Sequence, residues 1–198
     1  MSLHDQARQT LSVFDHPDPT QQGLARDYLD FLDTYPEGVF RECQVGHITA
    51  SALVVSQGAD HVLLTLHPKV GRWLQLGGHL EVDDATVLEA AVREVIEECG
   101  IDAGMISAHP LRLDRHPVPC GRDAAGNPLG SEHLDVQFLV VVPDAVEPTI
   151  SAESDDLRWF DHRELPPIDA SVQALVDDAR ALLSPADITA PDRWVTFG

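Results

Sequence analysis

Three carboxylates, Glu94, Glu97 and Glu98, lie three and four residues apart in the run Arg93-Glu94-Val95-Ile96-Glu97-Glu98-Cys99-Gly100-Ile101. On an α-helix that spacing crowds them onto one side. Like charges so placed repel, and a helix gains nothing from them unless a cation sits between them. Oxygen ligands alone suit Mg²⁺, Mn²⁺ or Ca²⁺ rather than Zn²⁺. Mg²⁺ held by a few carboxylates keeps waters and takes its remaining ligands from substrate phosphates. The chemistry on offer is divalent-metal work at phosphate. The competing reading is an acidic, solvated helix face, the ordinary reason for a run of Glu.

The residues that must position these carboxylates favour the first reading. Gly77-Gly78 precedes the helix, where backbone can approach a ligand or a metal closely. Thr86-Val87-Leu88-Glu89 reads as a capping box that starts the helix near residue 86. Gly100 supplies the left-handed residue expected just past its end.

With those features in place, the stretch Gly77 to Ile101 resembles the Nudix hydrolase family, whose signature is G-x5-E-x7-R-E-U-x-E-E-x-G-U, with U a bulky apolar residue. Every fixed position from Arg93 to Ile101 matches. The first half departs: after five intervening residues Gly78 is followed by Asp84 where Glu is expected, and eight residues instead of seven separate it from Arg93. The helix register is untouched by that extra residue, but the role of Asp84 is left open. Trp73 to Gly78 resembles the family's entry strand, with Leu76 where Pro is common. The GRWLQLGGH entry and the later EHLDVQF segment resemble one bacterial subgroup of the family.

The resemblance implies roles. Glu97 and Glu98 are the main metal ligands, Glu94 is a further ligand or orients the attacking water, and the Gly77 carbonyl completes the coordination. Arg93 orients a neighbouring Glu by ion pairing. The implied cofactor is Mg²⁺ (or Mn²⁺), and the implied reaction is hydrolysis of the diphosphate linkage in a nucleoside diphosphate joined to another group. Two alternatives stay open: a non-catalytic nucleotide sensor, which would be expected to lose these carboxylates, and a Nudix-fold isomerase, which would want a catalytic Cys in context.

Other side chains are candidates for substrate. His67, Lys69 and Arg72 precede the entry strand and could meet phosphate oxygens; solvated turn charges are the alternative. Glu81 lies in the loop before the helix and could approach the metal. Glu153, Asp155 and Asp156 precede Trp159-Phe160, where Nudix proteins often supply another carboxylate, so Glu153 or Asp156 is a candidate outer ligand or base. Ten histidines are many for this length. His79 follows the Gly-Gly pair, His116 and His133 flank a Gly- and Pro-rich stretch, and Asp135 follows on the face of His133. His79, His116, His133 and Asp135 could converge as a second metal site, suited to Zn²⁺, or as phosphate contacts; ordinary satisfied histidines are the alternative.

Composition narrows the partners. The chain of 198 residues is 43% hydrophobic, which suits a folded domain with a full core. A formal charge of −20 repels long nucleic acid, while a local divalent cation still admits a small nucleotide-like diphosphate. Cys43, Cys99 and Cys120 form no CxxC pair, which fits a reducing compartment. The polar N-terminus has no apolar span for a leader or membrane anchor. The expectation is a cytoplasmic protein without membrane attachment, with a homodimer as a candidate assembly.

The pattern along the chain predicts an α/β fold: a Nudix-type α/β/α sandwich around a mixed sheet, with an N-terminal helical extension. Residues 1–45 form the extension, packed on the core, and 46–198 the hydrolase domain. In the extension, Thr20 caps a helix whose stripe is Leu24, Tyr28, Phe31 and Leu32, ended by Pro36 and Gly38. Strands are expected at Ile48–Ser56, His61–Leu66, Trp73–Leu76, Ile106–His116, Leu134–Val142 and Leu157–Phe160. Residues 117–132 should form a long loop at the mouth of the site. A last helix begins at Asp169 or Ser171.

Overall fold

The structure, a computed structural model, describes residues 1–119, 130–144, 146–152, 154–183 and 191–198. Two helices open the chain. Helix α1 (Leu3–Ser12) is closed by a capping box between Ser2 and Asp5, and α2 (Pro19–Thr34) is capped by Asp18. The expected cap at Thr20 is thus displaced by two residues, because Pro19 takes the first helical position, where its missing N–H costs nothing, and the Asp18 carboxylate accepts from the Thr20 N–H. A 3₁₀ turn, Pro36–Val39, follows.

Among the described residues nine strands form one mixed sheet in which β1 (His47–Ser56) is the axis. It runs parallel to β7 (Ser131–Val142), from His47 opposite His133 to Ser56 opposite Val142. Its other edge is shared between β2 (His61–His67) and β4 (Leu76–His79), both antiparallel. Strand β3 (Arg72–Leu74) pairs with β2 and runs on into β4, so the chain changes partner at Gln75. The other edge of β7 takes β5 (Gly104–Ser107) and β6 (Arg112–Val118). Strand β8 (Asp156–Asp161) borders β2, and β9 (Trp194–Phe197) borders β5.

The continuous strand expected over Ile106–His116 is therefore two strands. Pro110, which cannot donate to a ladder, interrupts it, and the Leu111 N–H rejoins the sheet at the Gln137 carbonyl, 2.7 Å away.

Alternate residues of β1 and β7 serve two cores. Ile48, Ala50, Ala52 and Val54, with Leu134, Val136, Phe138 and Val140, pack with α1, α2 and the third helix, α3 (Val87–Cys99). Leu53, Val55, Leu139 and Val141 face α4 (Ala170–Leu182), through Val172, Leu175, Val176 and Ala179. This is the α/β/α sandwich. The N-terminal helices join the first core through the fully buried Tyr28 and Leu32. Tyr28 donates its hydroxyl to the Asp114 carbonyl at 2.6 Å, and the Gln21 amide bonds both backbone groups of Leu113. Among the described residues no helix is long and apolar enough to cross a membrane.

The same alternation sets up the site. On the α4 face, the apolar residues of β1 and β7 give way toward one end to His47, Thr49 and Ser51 and to His133, Asp135 and Gln137. On the α3 face, Gly78 is level with Ala50 in the β1–β4 ladder.

Candidate functional site

Helix α3 begins and ends as its sequence dictates. Thr86 accepts the Glu89 N–H at 3.0 Å, and Gly100 closes the helix at φ 67°. The Glu89 carboxylate reaches the Ala85 N–H rather than that of Thr86, so the box is shifted by one residue.

Arg93 organises the carboxylates. Its Nε and Nη2 grip both oxygens of Asp84 at 3.0 Å each, Nη2 also reaches the His79 carbonyl at 2.8 Å, and Nη1 bonds Glu94 at 2.9 Å and Glu97 at 3.1 Å. All five guanidinium N–H groups are thereby engaged. Asp84, whose role the displaced spacing left open, is the principal partner of Arg93; its extra loop residue is absorbed before the helix, where Asp84 also accepts the Glu81 N–H at 2.7 Å. The hydrogen bonds that Arg93 donates to Asp84, ahead of the opposing cost of burial and the neighbouring Glu94 charge, raise the Arg93 pKa above its already high value.

Glu94 and Glu98 are buried and Glu97 is exposed. Glu98 accepts the Gly77 N–H at 3.3 Å. The two glycines are here because nothing larger fits. A Cβ on Gly78 would lie 2.5 Å from the Glu94 carboxylate, and one on Gly77 would overlap Ser51. Backbone and carboxylates therefore meet at contact distance. Three carboxylates gather around one guanidinium with Glu98 beside them on the same helix, and like charges about 4 Å apart repel by about 4 kcal/mol at an effective dielectric of 20. That donor set, oxygen-only and short of positive charge, fits a divalent cation.

The other candidates lie elsewhere. His67, Lys69 and Arg72 form the β2–β3 hairpin, where the Lys69 N–H donates to His67 at 3.2 Å and Arg72 reaches Asp169, the cap of α4, at 4.0 Å. Asp156 pairs with Arg158 at 2.5 Å. Glu81 is exposed at the start of the Asp84 turn. Glu153 and Cys120 lie outside the described residues, as does most of the stretch between His116 and His133. Cys99 is buried on α3, its thiol pushed up to about 11 by burial, which makes it a packing residue. Trp159 and Phe160 each pack against one of the two cores.

The expected histidine cluster forms with a different membership. His79, His133 and His47 converge with ring centroids 4.8–5.2 Å apart. His116 stacks edge-on against His133 at 5.4 Å and is held by Asp114 at 2.7 Å. Asp135, expected among them, is instead the centre of an adjacent polar nest: it accepts from Thr49, Ser51, Gln75 and Gln137 at 2.6–3.2 Å. Burial raises its pKa against those hydrogen bonds. Burial lowers His79 to about 4 and His133 to about 3, aided by neighbouring rings, whereas Asp114 raises His116. His47 escapes a reading that begins the strand at Ile48. The signal that reveals it is the alternation His47-Ile48-Thr49-Ala50-Ser51, polar on every second residue.

The geometry agrees with known proteins. A family model described as the NUDIX domain matches residues 46–179. A MutT protein from Methanosarcina mazei Go1 superposes at a TM-score of 0.52 and 17% identity, over 69% of this chain and 94% of that one. An Ap4A hydrolase from C. elegans gives 0.50 at 18% identity, over 68% and 95%. The Nudix hydrolase RenU from M. smegmatis gives 0.50 at 18%, over 74% and 89%. At such identities the likeness is one of fold. No curated protein matches the chain in sequence.

Proposed function

Because the chain belongs to the Nudix family and is a hydrolase of phosphorus-containing anhydrides, we propose that it is a divalent-metal-dependent pyrophosphohydrolase that cleaves the diphosphate linkage of a nucleoside diphosphate derivative. The observation that carries this reading is that Arg93 holds Glu94 and Glu97 while Glu98 meets Gly77 and Glu94 meets Gly78.

In this reading Glu97 and Glu98 are the main ligands of Mg²⁺ or Mn²⁺, with Glu94 and the Gly77 carbonyl completing the set. The bound cation supplies Lewis acidity, lowering the pKa of a coordinated water and offsetting charge on the leaving phosphate. The protein's own contribution is placement. Arg93 fixes Glu94 and Glu97 while its other donors hold Asp84 and the His79 carbonyl, tying helix, loop and strand into one unit. Glu94 is buried against Gly78 and positions the attacking water; Glu97 is open to solvent, where substrate phosphates arrive. A divalent cation held by these carboxylates would offset the repulsion between the diphosphate and a chain of charge −20. Selectivity for the group beyond the diphosphate falls to surrounding loops and strand faces, and His67, Lys69, Arg72, His79, His133 and Glu153 are the candidates for it.

The test is release of nucleoside monophosphate from a panel of nucleoside diphosphate derivatives with Mg²⁺ or Mn²⁺, comparing wild type with Glu97→Gln. Turnover that requires the metal and falls about 10²–10³-fold in the variant is expected. Turnover unchanged by the substitution contradicts the assignment. Nucleotide binding without turnover across the panel would favour a sensor.

A further inference from the structure

We propose that His47, His79 and His133 form a second metal site, for a first-row transition ion with Zn²⁺ the best match, on the face of the sheet opposite the α3 carboxylates. Three adjacent strands supply one ligand each. His47 and His133 are level in the parallel β1–β7 ladder, and His79 pairs with Thr49, two residues further along β1. Their available ligand atoms all lie within 4.8 Å of one another. A tetrahedral ion with metal–nitrogen bonds of about 2.0–2.1 Å needs nitrogens roughly 3.4 Å apart. Side-chain rotation supplies that difference, since the strand backbones already hold the three positions together.

The unsatisfied groups point the same way. His47 is fully buried, and apart from the nearby Cys43 backbone neither of its ring nitrogens meets a partner at hydrogen-bond geometry among the described residues; the buried His79 Nε2 has none either. A buried polar atom left unpaired is destabilising. The nearby carboxylate does not compensate, because Asp135 is turned away to Thr49, Ser51, Gln75 and Gln137. Three imidazoles converge, and a metal ion can accept one lone pair from each. Nitrogen-only ligation selects Zn²⁺ and its transition-metal neighbours over Mg²⁺ or Ca²⁺.

Three protein ligands leave a coordination position for water or a substrate oxygen, as in catalytic zinc sites. His116 packs beside His133 with its Nδ1 fixed by Asp114, the carboxylate–histidine pairing that orients groups around metal centres. Such an ion would also anchor β4, the strand that carries Gly77 and Gly78, to β1 and β7. The site stands on its own geometry and does not depend on the catalytic reading of α3.

The full-length untagged chain, stripped with chelator and dialysed against Zn²⁺, is analysed for bound metal, and Co²⁺ is titrated in parallel for its visible absorbance. About one Zn²⁺ per chain and intense tetrahedral Co²⁺ bands are expected. His133→Asn and His47→Asn should weaken binding about 100-fold or more, and Glu98→Gln should leave it unchanged. If His47→Asn does not fold, His79→Gln, at a partly exposed ring, serves in its place. The proposal is overturned if wild type takes up no stoichiometric Zn²⁺ or Co²⁺. It is equally overturned if the folded histidine variants bind as wild type does, or if uptake is lost with Glu98→Gln.

Discussion

The segment Gly77 to His79 serves two regions of opposite character. On one face, Gly78 lies against Glu94, one of three carboxylates pinned by a single arginine whose every donor is engaged. On the other, His79 joins two further imidazoles, and apart from the nearby Cys43 backbone the buried nitrogens of His47 find no partner among the described residues. The first region is hard, anionic and short of positive charge; the second is built of nitrogen donors and near-neutral. The comparison shows how a period-2 strand can carry two chemistries within three residues, because neighbouring side chains point to different layers.

The largest effect should come from Glu98→Gln. If the carboxylate region alone performs the chemistry, kcat/KM falls about 10³-fold while Zn²⁺ uptake is retained. A loss of both would collapse the two regions into one.

Gly78→Ala sharpens the boundary by a single methyl group. A Cβ 2.5 Å from the Glu94 carboxylate displaces that side chain, and a misplacement near 1 Å costs about 10²-fold in turnover. Steady-state kinetics beside a melting curve separates this from unfolding.

Arg93→Lys keeps the charge but removes the planar fork that holds Asp84, Glu94, Glu97 and the His79 carbonyl. Turnover should drop about tenfold or more and stability by about 1–3 kcal/mol, read by denaturant unfolding.

The smallest effect is the pH dependence of the metal-free protein. The unfolded histidines take up protons near pH 6.5, whereas His79 and His133 in the fold wait until about 4 and about 3, chiefly because they are buried. Between those limits the unfolded state binds more protons, so stability rises with pH through that window and is lost on acidification. Allowing for partial exposure, roughly 1–2 kcal/mol is at stake, or about 2–4 °C of Tm per kcal/mol. His133→Asn should flatten the profile between pH 4 and pH 6.5, and an unchanged slope would remove that ring from the explanation.

The two regions also differ in how far the sequence reveals them. The α3 region is local: Glu94, Glu97 and Glu98 need only the helical period to share a face, and Thr86 and Gly100 mark the ends within a few residues. Asp84 was harder, because its grip on Arg93 depends on how a loop with one extra residue closes, which spacing alone leaves undetermined. The histidine region is assembled by pairing across the sheet. His47 and His133 become neighbours only because β1 and β7 run parallel in one register, and nothing near either residue announces that register. The same cause hid β9, a four-residue edge strand too short to show a period, whose pairing with β5 comes from distant chain. The break at Pro110, by contrast, was readable from proline's missing donor.

The most direct test of the central claim, a hard-cation site at the α3 carboxylates, is Mn²⁺ binding followed by electron paramagnetic resonance in wild type, Glu98→Gln and His133→Asn. Mn²⁺ affinity should fall about tenfold or more in Glu98→Gln and stay at the wild-type level in His133→Asn. Wild-type affinity in Glu98→Gln, or a loss that follows His133 instead, would contradict the account.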